Sequence, residues 1–180
     1  MINISDNIQL KAISLNNHDQ LVDLMNAIYP PAYKQLWEKE DCSWYLNHCY
    51  NKEQLNKELN ETETCYYFVL YNNKVSGILR VNFNKVLNQE PEKLATYVHR
   101  VYISEEIQGK GVAKQLFEWV ETQAIKNNSE LIWLEAMDSQ EQALKFYKKQ
   151  GFKVVGDYRL KFKRIHKHLK GILILVKDLQ

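Results

Sequence analysis

The stretch VHRVYISEEIQGKGVAKQLFEWV, residues 98–120, decides how this chain is read. Residues 98–103 alternate in the manner of a strand, and Val112, Ala113, Leu116, Phe117 and Val120 then recur at helical spacing. Between the two lie Gly109 and Gly111. Lacking a β-carbon, they let backbone approach an anion closely, and the free N–H groups of the first helical turn point the same way with the helix dipole behind them. A pyrophosphate suits such a turn; a tight strand-to-helix connection with no ligand would use the same glycines. Neither GxxxxGK[ST] nor GxGxxG is present, and no acidic residue ends the following strand at the required distance. Mononucleotide kinases and nicotinamide enzymes are therefore disfavoured.

Upstream, the strand extends back to Leu94, with Tyr97, His99, Val101 and Ile103 expected on one face and Val98, Arg100 and Tyr102 on the other. Cys65 to Tyr71 and Val75 to Val86 read as a hairpin around Asn72-Asn73-Lys74. Ile8 to Ile13 is a first strand. Asn16 or Asn17 caps a helix carrying Leu21, Leu24, Met25 and Ile28, which Pro30-Pro31 is expected to end, and two short polar helices follow over Asp41–Tyr50 and Lys52–Leu59. Downstream, Leu131 to Ala136 is a buried strand, Ser139 to Gln150 a helix stopped by Gly151, and Lys153–Leu160 and Gly171–Val176 are strands. The order β, α, α, α, β, β, β, α, β, α, β, β predicts an α/β fold with a mixed, mostly antiparallel central sheet flanked by helices on both faces. No repeat or linker interrupts it, so residues 1–180 are expected to form a single domain.

Composition agrees. At 180 residues with 45% hydrophobic side chains the chain can build its own core without disulfide or metal support, which excludes disordered and collagen-like classes. No apolar run approaches the roughly 20 residues of a membrane helix, and no signal peptide is visible, so a cytoplasmic location and no membrane partner are expected. Cys42, Cys49 and Cys65 form no CxxC or zinc-spaced cluster, and no metal is expected. The 24 basic and 22 acidic residues are unevenly spread: residues 1–68 carry 5 and 10 of them, residues 153–180 carry 8 and 2. The acidic start could attract a cation and the basic end a phosphorylated cofactor or a nucleic acid. No helix-turn-helix, zinc finger or RNA-binding motif accompanies KVVGDYRLKFKRIHKHLK, so nucleic acid is not expected as a partner.

Gln108-Gly109-Lys110-Gly111-Val112-Ala113 matches the [QR]xxGx[GA] signature of the GCN5-related N-acetyltransferases, and ALKFYKKQGF, from Ala143 to Phe152, resembles their second conserved block. The stretches YLNHCYNKEQLNKELN and HRVYISEEIQGKG are similar to the PaiA-type spermidine/spermine acetyltransferases. The resemblance implies an acyl-CoA N-acyltransferase fold and acetyl-CoA as co-substrate. It implies that the backbone at Val101, Tyr102 and Ile103 pairs with the pantetheine arm, that Gln108 through Ala113, Lys110 included, cradle the pyrophosphate, and that Tyr147 protonates the departing thiolate. Where many relatives carry Asn, three residues before Ala143, this chain has Gln140, placed with the cofactor-binding residues.

An attacking amine must first lose a proton from a group with pKa near 10.4, so a base or water chain is needed. Glu135 is a candidate as base or as counter-ion to the ammonium, and His99 as a base titrating near neutrality. Tyr33, Trp37, Glu38, Glu40, Asp41 and Trp44 combine rings with negative charge, which suits a flexible polycation such as spermidine or spermine. The same side chains also read as an ordinary solvated helical face with its aromatic rings anchored in the core. Acetylation of a peptide or protein amine, and a regulator that binds acetyl-CoA or DNA without turnover, stand as alternatives. The sequence is compatible with a monomer or a homodimer.

Overall fold

A computed structural model describes residues 1–179. Eight strands, β1 (Ile2–Asn3), β2 (Ile8–Ala12), β3 (Thr64–Tyr71), β4 (Lys74–Asn82), β5 (Ala95–Ile103), β6 (Leu131–Met137), β7 (Lys153–Arg159) and β8 (Gly171–Asp178), form one sheet. Their spatial order is β1-β2-β3-β4-β5-β6-β8-β7. Every neighbouring pair is antiparallel except β5 and β6. The helices are α1 (His18–Tyr33), α2 (Ser43–Tyr50), α3 (Lys52–Leu59), α4 (Val112–Lys126) and α5 (Glu141–Lys149). This is the expected mixed, mostly antiparallel architecture, with β1 added as a short ribbon on β2.

The alternation within β3 sorts the layers. Tyr66, Phe68 and Leu70 pack with Leu21, Met25, Leu46 and Leu55 under α1, α2 and α3, while Val69 packs with Leu116, Val120 and Ala124 under α4. A third, smaller cluster of Leu87, Ala95, Leu131, Trp133, Ile174 and Val176 lies under the loop after β4, where Trp133 Nε1 donates to the Lys85 carbonyl at 2.9 Å.

Two local expectations are corrected. Pro30-Pro31 does not end α1, which runs on to Tyr33. Each proline removes a helical N–H, yet Tyr29 and Tyr33 stack one turn apart at 4.8 Å and the Lys34 N–H returns to the Pro30 carbonyl, so the last turn keeps its shape. The even alternation expected for β5 also fails. Arg80 pairs with Arg100 but Val81 pairs with Val98, so His99 is an extra residue, a β-bulge. Val98, Val101 and Ile103 consequently share the α4 side, while Tyr102 faces α1 and α2.

Candidate active site

The parallel pairing of β5 and β6 runs only from Ala95↔Leu131 to Val98↔Leu134. Beyond it β5 stays with β4 as far as Ile103, and β6 stays with β8 as far as Met137. The two strands diverge, and the edge of β5 from His99 to Ile103 pairs with no strand on that side among the described residues. A cavity of about 100 Å³ opens there, walled by Tyr33, His99, Arg100, Tyr102, Glu135, Met137, Gln140 and Tyr147. It shares Tyr33, Val101, Gln140 and Tyr147 with a larger groove of about 580 Å³ that reaches Ile103, Gln108, Gly109, Gly111, Val112 and Ala113.

The glycine turn is built as the sequence suggests. Gly109 and Gly111 have φ of 73° and 78°, the left-handed region, and Gly111 caps α4. Buried Ile107 pins the turn to the core. The N–H groups of Val112, Ala113 and Lys114 belong to a first turn with no intrahelical acceptor, at the end of the groove. Lys110 is the exception among the cradle residues, since its Nζ lies 5.3 Å from the centre of the Tyr71 ring and its side chain does not line the groove.

Tyr147 stands where groove and cavity meet. Its ring sits edge-on to Phe117, Phe146 and Phe152 at 5.5 to 5.9 Å, and burial, with Tyr33 nearby, holds its phenol above the usual range. Gln140 caps α5 and lines both spaces.

On the far wall, Tyr97 donates to Glu135 Oε2 at 3.0 Å, and the Tyr97 ring stacks on Trp133 at 3.9 Å. Tyr158 is pushed up to about 12 by burial and by the Glu135 charge. His99 does line the cavity, but it does not titrate near neutrality: burial first, then the charges of Arg100, Arg80 and Lys85, push its imidazole down to about 2.

The acceptor-binding set changes most. Of Tyr33, Trp37, Glu38, Asp41 and Trp44, only Tyr33 reaches the cavity. Trp37 is 1% exposed, with Nε1 donating to Tyr29 Oη at 3.2 Å, and Trp44 packs against Trp37, His48 and Phe162. Glu38 and Asp41 face solvent away from both spaces, Asp41 accepting from the Ser43 N–H, and Glu40 pairs with Lys34 at 2.9 Å. Trp37 and Trp44 are used in joining the insert to α1 and to the segment around Phe162 and Ile165, which withdraws them from a ligand.

The sequence reading missed a buried ionic cluster behind the cavity. Glu58 (1% exposed), Arg80 (2%) and Arg100 (7%) meet there, Glu58 Oε2 lying 2.6 Å from Arg100 Nη1 and 3.7 Å from Arg80 Nε. Arg80 Nη2 also donates to Glu61 Oε2 at 2.8 Å, and the Arg100 guanidinium lies over the Tyr50 ring at 5.1 Å. The available signal was Arg80 itself, a lone charge inside the apolar run from Gly77 to Val81. Among the described residues no cluster of three His, Cys, Asp or Glu could hold a metal, and no helix is long and apolar enough to cross a membrane.

Comparisons with known proteins bear on this geometry. An uncharacterised N-acetyltransferase from the pepI 3′ region of Lactobacillus delbrueckii subsp. lactis is 27% identical over 112 residues, 62% of this chain and 65% of that relative, so the match spans just under two thirds of the relative's length. PaiA N-acetyltransferase from Thermoplasma acidophilum, in complex with coenzyme A, superposes with a TM-score of 0.71 at 17% identity, over 95% of this chain and 98% of that one. An acetyltransferase from Salmonella typhimurium that modifies the N-terminal serine of a ribosomal protein gives 0.70 at 14% identity, over 99% of each chain. At such identities the structural likenesses speak for the fold alone. The profile of the acetyltransferase (GNAT) family matches residues 19–152, taking in the glycine turn, the diverging strands and Tyr147, and the chain therefore belongs to this family of acetyl-CoA-dependent acyltransferases.

Proposed function

We propose that the protein transfers the acetyl group of acetyl-CoA to a primary amine by direct attack in a ternary complex, with small polyamines as the acceptor class. The observation that carries this reading is the opening between β5 and β6, which has an anion-binding turn at one end and sets Glu135 and Tyr147 around one cavity. The first turn of α4 and the Gln108–Ala113 backbone receive the pyrophosphate, and the free edge of β5 at Val101–Ile103 receives the pantetheine amides. Positioning of amine and thioester supplies most of the rate. Tyr147 donates a hydrogen bond to sulfur as thiolate charge develops. A thiol near pKa 8.5 is a stronger acid than a phenol near 10, and burial raises Tyr147 further, so the phenol stabilises the leaving group rather than surrendering its proton outright. Glu135, oriented by Tyr97, takes up the ammonium proton or balances its charge.

The aromatic side chains of Tyr33 and Tyr102 line the cavity together with the Glu135 carboxylate, a combination that suits an alkyl ammonium. The PaiA-like stretches 45–60 and 99–111 support the polyamine class. A peptide amine is the second reading, favoured by the segment 160–170, which carries Lys161, Lys163, Arg164, Lys167 and Lys170 without a carboxylate and packs on Trp37 through Phe162 and Ile165. The test is thiol release from acetyl-CoA against spermidine, spermine, short diamines, lysine, aminoglycosides and lysine-bearing or acidic peptides. Selective turnover of the polyamines supports the first reading, and selective turnover of peptides replaces it with the second. No turnover of any acceptor, with acetyl-CoA still bound, refutes both.

A further inference from the structure

His99 stands in the cavity wall with no task in the mechanism above. Its Nδ1 is in hydrogen-bond contact with Arg80 Nη1. A guanidinium can only donate, so Nδ1 accepts with its lone pair and the single ring proton sits on Nε2. Arg80 is not free to turn away. It is 2% exposed, bonded through Nη2 to Glu61 and lying beside Glu58, which Arg100 and Gln54 hold in turn at 2.6 and 2.8 Å.

The groups facing the imidazole come from every element around it. Arg80 on β4, Arg100 on β5 and Lys85 in the loop after β4 are all positive. Glu61, before β3, is engaged by Arg80 and by Asn82. The Tyr97 ring lies 5.4 Å away, and Glu135 on β6 is engaged by Tyr97. A proton added at Nδ1 would set a second N–H against the guanidinium and a further positive charge among these cations. His99 is therefore unsuited to be a base, and well suited to be a fixed donor polarised by the charges behind it.

We propose that His99 acts as a neutral imidazole held in its Nε2–H tautomer by Arg80, and that this N–H donates to the thioester carbonyl oxygen during acetyl transfer. The inference rests on the acetyl-transfer reading. As the amine nitrogen forms the C–N bond, the carbonyl π electrons move onto oxygen, where the His99 N–H meets the growing charge. The C–S bond then breaks with its electron pair on sulfur, the oxygen returns to an amide carbonyl, and the thiolate, hydrogen-bonded by Tyr147, takes up the second proton that the nitrogen sheds as the amide forms and so ends as the CoA thiol. His99 keeps its proton throughout, while the ammonium proton passes to Glu135 and solvent. Arg80 is a positioning residue in this scheme, acting only through the ring.

The experiment uses ¹⁵N-labelled full-length protein and two-bond imidazole correlation spectra between pH 5 and 8. His99 should show a protonated Nε2 and an unprotonated Nδ1 that do not change across the range, and the Nε2–H signal should shift with acetyl-CoA but not with CoA. A His99 that titrates in this range, the opposite tautomer, or identical responses to the two ligands would each overturn the proposal. Calorimetry on the same sample separates the levels: absence of any acetyl-CoA binding overturns the acetyl-transfer reading as well. In kinetics, His99→Phe should lower kcat by about 10²-fold, the usual cost of one oxyanion donor, without moving the acid limb of the pH profile. His99→Gln, which retains an N–H donor, should recover part of that loss. A vanished acid limb in His99→Phe would restore His99 as the base.

Discussion

The neutrality of His99 makes acid a specific destabiliser of this fold. In the unfolded chain the imidazole takes a proton near pH 6.5, whereas in the folded protein burial and the charges of Arg100, Arg80 and Lys85 hold its pKa down to about 2. A depressed folded-state pKa gives stability that is complete above about pH 6.5 and is lost as pH falls from there toward 2. Between pH 7.5 and pH 5 one such group forfeits about 2 kcal/mol, from 1.36 kcal/mol for each of about 1.5 pH units. For a domain of this size that corresponds to a fall in Tm of about 4 to 8 °C. Urea unfolding followed by tryptophan fluorescence at the two pH values, on wild type and on His99→Gln, isolates the effect, because the other titrating groups are common to both. The wild type should lose about 2 kcal/mol more than the variant on acidification. Equal losses would refute the claim that this imidazole is held neutral.

Other outcomes follow from the same geometry. Gly111→Glu finds room for its β-carbon, with nothing within 4 Å, but its φ of 78° should cost about 1 to 3 kcal/mol in urea unfolding, and the carboxylate set in the phosphate turn should weaken acetyl-CoA by about 100-fold or more, as calorimetry on the folded variant would read. Tyr147→Phe should lower kcat by about 10²-fold with little change in acetyl-CoA affinity, and an unchanged kcat would remove the phenol from catalysis. Glu135→Gln should lower kcat/KM by about 10²-fold, and an unchanged kcat/KM would remove this carboxylate from the handling of the amine. Trp37→Ala should cost about 3 to 5 kcal/mol in urea unfolding, as a buried core ring does, while the KM of any acceptor stays unchanged.

The parts of the site that depend on local chain chemistry were legible in the sequence. Gly109 and Gly111 need left-handed backbone and sit where only glycine is comfortable; α4 shows its apolar stripe; Tyr147 is carried by a recognisable block. What depends on long-range packing was not legible. Trp37 and Trp44 looked like ligand-binding rings because the sequence does not say that Phe162 and Ile165, more than a hundred residues on, arrive to cover them. His99 looked like a base because its exceptional environment comes from Arg80 across the sheet and from the Glu58 and Glu61 carboxylates that anchor that arginine. The bulge that places His99 opposite Arg80 is a matter of register, and alternation alone does not reveal it. Helix α1 passes its prolines for a different reason, since the Tyr29–Tyr33 stack is a local gain between side chains one turn apart that helix propensity does not count.

The short parallel pairing divides the sheet mechanically. Strands β1 to β5 come from the first part of the chain and β6 to β8 from the last, and four residue pairs, Ala95↔Leu131 to Val98↔Leu134, are the ladder that joins them. In the proposed complex, a donor lying along the free edge of β5 with its far end at α4 and its thioester under Tyr147 on α5 acts as a splint across this seam. Loading the enzyme then stiffens the sheet as well as supplying the acetyl group, and an amine entering from the α1–α3 side meets a gap whose width the donor has already set.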